Sequence, residues 1–211
     1  KNVISFLNSK LNTEYENDIE SIKFNSNKSR INNSKINYEG KLSINPFNLD
    51  LNINLNNFKI SKLFNPNTIL IGFLKSDLLF NENVSLNTSL TINSNTNEDF
   101  FHNVQIYFNI LNGRINLDSS KFINKDIGLF ELNNSNLLFE NNTLILNTDI
   151  LFEIKNYDAL FSFLNTNKKL RKEIGNILVN LNYNFLTNQI EFNSIKVDNN
   201  EVSREFLNIT D

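Results

Sequence analysis

The chain has no cysteine, no methionine and no tryptophan. Without cysteine there are no disulfides, no thiolate metal sites and no cysteine nucleophiles, whatever the redox compartment. Alanine occurs once, at Ala159, and 211 residues hold only two prolines and five glycines. Those glycines (Gly40, Gly72, Gly113, Gly128 and Gly175) never cluster, so no phosphate-cradling loop is present. The one histidine, His102, stands near Glu98 and Asp99. A lone imidazole gives no independent support to a Ser-His-Asp arrangement, and the group reads as a polar turn ahead of a strand. Carboxylate pairs such as Glu14/Glu16 and Asp198/Glu201 fall in polar segments and read as solvated surface. The expectation is a non-enzyme: no catalytic residue, no metal site and no cofactor. No apolar run reaches the 18 residues that span a bilayer. A net charge of −3 offers no clearly basic face, so no nucleic-acid partner is expected. The chain opens at Lys1 rather than at a methionine, as expected of a piece of a longer protein.

What is abundant is asparagine, 46 residues of it, together with Ile, Leu, Lys and Phe. These are residues of A/T-rich codons, and the asparagines alternate with apolar residues instead of running together. That pattern argues for strands rather than a low-complexity tract. The clearest case is Phe47 to Asn56, where Leu49, Leu51, Ile53 and Leu55 alternate with Asn48, Asp50, Asn52, Asn54 and Asn56. Side chains on a strand point to opposite faces with period two, so this segment has one apolar and one wet face. The signature returns at Val84, Leu86, Leu90 and Ile92, and at Val104, Ile106, Phe108 and Ile110. It continues at Leu144, Leu146, Ile150, Phe152 and Ile154, at Ile177, Val179, Leu181, Tyr183 and Phe185, and at Ile190, Phe192, Ile195 and Val197. Leu111-Asn112-Gly113, Glu140-Asn141-Asn142 and Thr187-Asn188 sit between runs at hairpin distance. The fold class expected is mainly β: a long, curved, antiparallel meander with one apolar face and one or two short helices.

Three segments break the period. Pro66 to Leu74 fits a short helix started at the proline. From Asn156 to Lys172, Tyr157, Leu160, Phe161 and Leu164 share one helical face. Lys168, Lys169, Arg171 and Lys172 crowd the far end, where they either complement the helix dipole or meet anionic headgroups. Val3, Ile4, Leu7 and Leu11 repeat the helical spacing. Ser5-Phe6-Leu7-Asn8 also echoes Ser162-Phe163-Leu164-Asn165, which suggests residues 1–30 as the end of a preceding repeat and 31–211 as the β domain. Strand register is expected to be pinned by the apolar face alone, because Asn-rich polar faces specify it weakly.

About eight strands at ~4.8 Å spacing form a sheet of roughly 38 Å. An apolar face of that size exceeds the few hundred Å² that soluble proteins leave bare. Either a second layer closes it into a β-sandwich or a ligand covers it.

The stretch Tyr38-Glu39-Gly40-Lys41-Leu42-Ser43-Ile44-Asn45-Pro46-Phe47-Asn48-Leu49-Asp50-Leu51-Asn52-Ile53-Asn54-Leu55, with Ile60-Ser61-Lys62-Leu63-Phe64 after it, resembles the G-x-L-x-x-x-P-F-x-L-D-L-x-x-x-L strand pair of AsmA-like proteins. The later order is similar to their C-terminal region: Asn112-Gly113-Arg114-Ile115, Ile127-Gly128, Leu129 to Leu132, Leu137 to Phe139, Leu144 to Leu146 and the Tyr157–Leu164 helix. The resemblance covers Ile31 to Val197. It implies a bacterial envelope protein with a taco-shaped periplasmic β-groove, held in the inner membrane by an anchor outside this chain. Such a groove carries phospholipid towards the outer membrane without a chemical step, and its partners would be acyl chains and other envelope proteins. The residues expected to line it are Leu49, Leu51, Ile53, Leu55, Ile106, Phe108, Leu146, Ile150, Val179 and Leu181. The other readings are an envelope scaffold pairing through its β edges and a closed sandwich.

Overall fold

The computed structural model describes residues 2–6, 9–31, 34–60, 77–94, 99–140 and 143–202. The alternating segments are extended, as their Leu/Ile/Asn period dictates. β1 (Asn2–Phe6), β2 (Ser9–Asn17), β3 (Ser21–Ile31), β4 (Ser34–Ile44) and β5 (Phe47–Asn56) form the first half. They are followed by β6 (Ser85–Asn93), β7 (Asn103–Leu111), β8 (Arg114–Asn116), β9 (Lys121–Asn124) and β10 (Gly128–Glu140), and then by β11 (Thr143–Ile154), β12 (Asn176–Asn184), β13 (Gln189–Val197) and β14 (Asn200–Glu201). All fourteen lie in one sheet whose strand order follows the chain; the short β9 bridges β7 and β10 beside β8. The fold is mainly β, with one α-helix among the described residues, α1 (Tyr157–Phe163).

Two expectations about local structure are corrected. The sheet is not wholly antiparallel: β5 and β6 run parallel, from Asn48↔Ser85 to Asn56↔Asn93. A parallel pair needs a crossover rather than a hairpin, and residues 57–84 supply it. The opening Val3, Ile4 and Leu11 are not helical but belong to the β1–β2 hairpin, where Ile4 faces Leu11. Of the Ser-Phe echo, Ser5-Phe6 closes a strand and Ser162-Phe163 ends a helix. The position proposed as a domain boundary falls inside one ladder, as β3 pairs with β4 from Ser21↔Ser43 to Ile31↔Ser34. The helix expected from Pro66 lies outside the described residues.

With glycine scarce, asparagine takes the left-handed backbone positions, since its short polar side chain tolerates them. Of the eight non-glycine residues with positive φ among the described residues, six are asparagine: Asn57, Asn112, Asn134, Asn165, Asn188 and Asn199. Asn112 (φ 52°) and Gly113 (φ 69°) form the two-residue turn of the β7–β8 hairpin, the geometry that matches strand twist. Asn134 (φ 51°) sits in the β-bulge that interrupts the β10–β11 ladder between Asn133 and Asn136. Gly40 has a different task. A Cβ there would lie 2.6 Å from the Phe24 ring, so the missing side chain makes room for a neighbour's aromatic ring on the apolar face.

The polar face is also ordered. Asn87 Nδ2 donates to Asp50 Oδ1 at 2.8 Å and Asn109 donates to Asn87, joining β5, β6 and β7 at matched positions. One end of the same strands repeats this as Asn103 to Asn93 (2.6 Å) and Asn93 to Asn56 (3.3 Å). In the second half Asn193 donates to Asn180 (2.7 Å), and Asn180 to Asp149 (2.6 Å). Amide ladders of this kind lock strands in register. Register is therefore held from both faces, not from the apolar face alone.

Candidate functional site

Tracing the ladders shows which side chains share a face. Leu55 lies opposite Ile36, Ile53 opposite Tyr38 and Leu49 opposite Leu42. On the other side, Leu49, Ile53 and Leu55 align with Leu86, Leu90 and Ile92 of β6, which face Ile110, Ile106 and Val104 of β7. The row passes through Ile115 and Leu137 to Leu146. It then reaches Tyr183, with Thr148 facing Leu181, Ile150 facing Val179 and Phe152 facing Ile177. The register thus brings all ten sequence-nominated positions onto one continuous face.

That face differs along its length in how it is covered. Leu55 and Leu181 are buried, whereas Leu49, Leu51, Ile53, Ile106, Phe108, Leu146, Ile150 and Val179 are half-buried. The two described ends of the β5–β6 crossover lie against the face. At one rim Ile60, with Phe58 beside it, packs with Ile36, Leu55, Ile92 and Val104. At the opposite rim Leu79 and Phe80 pack with Ile110, Ile115, Leu137 and Leu144. These central residues are among the most enclosed of the described residues, with Ile92, Val104, Ile110, Ile115 and Leu144 at 0% exposure. Full burial of each contributes about 1.5–3 kcal/mol. Phe58, Ile60, Leu79 and Phe80 were not nominated from sequence. Their signal was the apolar content of a segment without period two, which reads equally well as a helix.

A third cluster closes the rim where β11 ends and β12 begins. Ile127, Phe152 and Leu160 are buried there, with Phe100, Phe130, Ile154, Ala159 and Ile177 around them. Phe130 stacks on its cross-strand partner Phe152 at 3.9 Å between centroids, and Phe101 meets Phe130 edge-on at 5.3 Å. The helix α1 is fixed above this cluster by its first turn. Asn156 accepts from Ala159 N at 3.0 Å, and the Lys155 and Asn156 amides both donate to the Ile127 carbonyl.

Two buried polar spots interrupt the apolar face without opening it to water. Ser135 Oγ and Thr148 Oγ1 are 2.9 Å apart at the β10 bulge, with the two residues at 0% and 1% exposure. Ser26 and Ser29 pair similarly at 2.5 Å, and Thr13 meets the Tyr38 hydroxyl at 2.5 Å. The polar face carries two shallow depressions. One is lined by Glu16, Glu39, Asp50, Lys23 and Lys41 among others, charges of both signs; the other is lined by Arg114, Asn136 and Asn147 with three apolar neighbours. None of the ten nominated residues lines either. Among the described residues no three His, Cys, Asp or Glu side chains gather as metal ligands. His102 sits in a bend just before β7. Asp99 there is buried, accepts from Ser94 Oγ at 2.5 Å and receives the Ile60 amide at 3.4 Å, which makes it a loop staple. No helix among the described residues is long and apolar enough to cross a membrane.

No known family pattern, no curated protein and no solved structure matches the chain.

Proposed function

We propose that this chain is a non-catalytic segment of a lipid-conducting β-groove of the AsmA-like kind, whose apolar face shelters phospholipid acyl chains as they pass along the cell envelope. One observation carries the reading. The ten nominated residues share one face of one sheet, and eight of them stay half-buried with no second sheet over them among the described residues. A face built as the inside of a sandwich would have those positions enclosed, and each apolar cluster here draws on one stretch of the sheet rather than joining its two ends. Each methylene sheltered on such a face contributes roughly 0.8 kcal/mol, so a few methylenes hold a chain while leaving it free to slide. Headgroups stay in water, and no bond is made or broken. The periplasmic setting and the inner-membrane anchor belong to this same proposal and rest on the resemblance at Tyr38–Leu55.

The test uses charges placed on the face but away from its enclosed clusters. Ile53 and Phe108 pack against those clusters, whereas Leu51 and Val179 belong to none of them. Leu51→Asp combined with Val179→Asp is expected to reduce co-purifying phospholipid, measured by mass spectrometry of a solvent extract, at least tenfold while the far-ultraviolet dichroism stays unchanged. Undiminished lipid in the folded double variant refutes the groove. A scaffold pairing through its edges is the second reading, and β1 supports it. That strand is an open edge among the described residues, with Val3 and Ile4 at 55% and 60% exposure. Lipid-free protein that loses a client on Ile4→Pro would favour it.

A further inference from the structure

Between the end of β11 and the start of β12 the chain leaves the sheet as one excursion of the rim, comprising α1 and the 3-10 turn Lys168–Leu170. The lysines there do not finish the helix. α1 stops at Phe163, has no basic residue in its last turn, and is capped at Leu164. The Asn165 backbone then turns left-handed (φ 54°), and Asn167 opens the separate 3-10 turn by accepting from Lys169 N at 3.1 Å. The reading of Lys168, Lys169 and Lys172 as partners of the helix dipole is thereby corrected, since the dipole acts within the last turn. Arg171 does serve the fold. Its guanidinium lies 3.5 Å from Asp158, donates to the Thr166 carbonyl at 3.1 Å and reaches Ser162 Oγ at 3.1 Å, which ties the turn back to the helix.

That internal pairing leaves Lys168, Lys169 and Lys172 exposed and without an ion pair among the described residues. Beside them stand three of the chain's most exposed apolar side chains: Phe163 at 58%, Leu164 at 57% and Leu170 at 70%. Phe163 rests one side on Phe100, with centroids 4.7 Å apart, so the loop before β7 helps hold the tip in place. Of the two acids on the excursion, Asp158 is occupied by Arg171 and only Glu173 faces the lysines' end. A single exposed leucine needs no explanation. Three large apolar groups interleaved with three free ammonium groups, on a chain of net charge −3, form a patch with its own chemistry. A polyanion such as a nucleic acid would use the lysines and leave the leucines idle. A bilayer surface uses both, taking apolar side chains into the headgroup–acyl boundary while lysines meet the phosphates.

We propose that residues 157–172 form a docking tip for an anionic bilayer surface. The proposal stands on the tip's own residues and does not depend on the groove carrying lipid. Each lysine is expected to contribute about fivefold to binding at low salt, so all three contribute roughly a hundredfold. The test is co-sedimentation of the intact 211-residue chain with phosphatidylcholine vesicles, with and without phosphatidylglycerol. Binding should require phosphatidylglycerol, weaken with salt, and be lost both in Lys168→Glu/Lys169→Glu/Lys172→Glu and in Leu164→Ser/Leu170→Ser. The groove variant Leu51→Asp/Val179→Asp should still bind vesicles, and the tip variants should still carry any lipid the groove holds, so the two readings fail separately. Because the chain has no tryptophan, Leu170→Trp installs a single indole whose emission should shift to the blue on anionic vesicles. Equal sedimentation with neutral vesicles, undiminished binding after charge reversal, an unshifted indole, or binding to dextran sulfate as tight as to vesicles would each overturn the proposal.

Discussion

Thr148→Val and Ser135→Ala, alone and together, test whether the polar pair inside the apolar face is held by its own hydrogen bond. Valine keeps the shape of threonine but removes the hydroxyl. The Ser135 hydroxyl, at 0% exposure, then loses its 2.9 Å partner with no water to replace it. A buried polar group left unmade costs about 1–3 kcal/mol. Ser135→Ala should cost less, about 0.5–1.5 kcal/mol, because Thr148 Oγ1 retains the Asn133 carbonyl at 3.3 Å. Neither change touches the Ser135 amide, which donates to Asp118 at 2.5 Å and keeps the bulge in shape. In the double variant no orphaned hydroxyl remains. Its loss should fall short of the sum of the singles by about 1 kcal/mol or more, the coupling that a double-mutant cycle isolates. Urea titration of the four proteins followed by circular dichroism measures this, provided the slope m is shared. Strict additivity, or a double variant worse than the sum of the singles, refutes the account of the pair as mutually satisfied and replaces it with one in which bulge packing dominates.

Two other substitutions probe the turn and the ladders. Gly113→Ala should cost about 1–3 kcal/mol, since it puts a side chain at φ +69° with its Cβ 2.5 Å from the Phe80 carbonyl oxygen; a thermal midpoint within a degree of the parent would contradict this. Asn87→Ala removes the middle rung of the Asp50–Asn87–Asn109 ladder and should cost roughly 0.5–1 kcal/mol, with faster amide exchange in β5 to β7. Unchanged exchange there would mean that the ladders decorate the register without holding it.

The parts of the fold legible in the sequence were those where burial on one face alone dictated the pattern. Leu49 to Leu55, Val104 to Ile110 and Leu144 to Ile154 alternate because one side meets apolar neighbours and the other meets water, and each proved to be a strand. β2 and β3 were not legible, because their inner positions include Thr13, Ser26 and Ser29, which pair with one another or with Tyr38 instead of supplying apolar period. Val3, Ile4 and Leu11 fit helical spacing by accident of a hairpin, since Ile4 and Leu11 are neighbours across strands and not along a helix. The parallel β5–β6 pair was out of reach for a different reason. Alternation records which face a residue takes and carries no sign of strand direction. At the candidate site, the sharing of one face by the ten positions could be read from the period, whereas the cover that Ile60 and Leu79 give to part of that face depends on where the crossover lands.

Strand order that follows chain order has a mechanical consequence. Most ladders join segments that a short turn already holds together, so coupling passes from neighbour to neighbour, as in a repeat protein. Chain closure over a long connection is needed between β5 and β6, across residues 57–84, and between β11 and β12, across residues 155–175. Force applied along the two ends of such a ribbon meets one pair of strands at a time and opens it rung by rung, at a load set by the weakest ladder. Severing the backbone within residues 57–84 leaves two meanders, β1–β5 and β6–β14, each with its local pairings intact. Their reunion becomes a bimolecular strand addition whose rate depends on concentration, and the tenfold-diluted halves should rejoin tenfold more slowly.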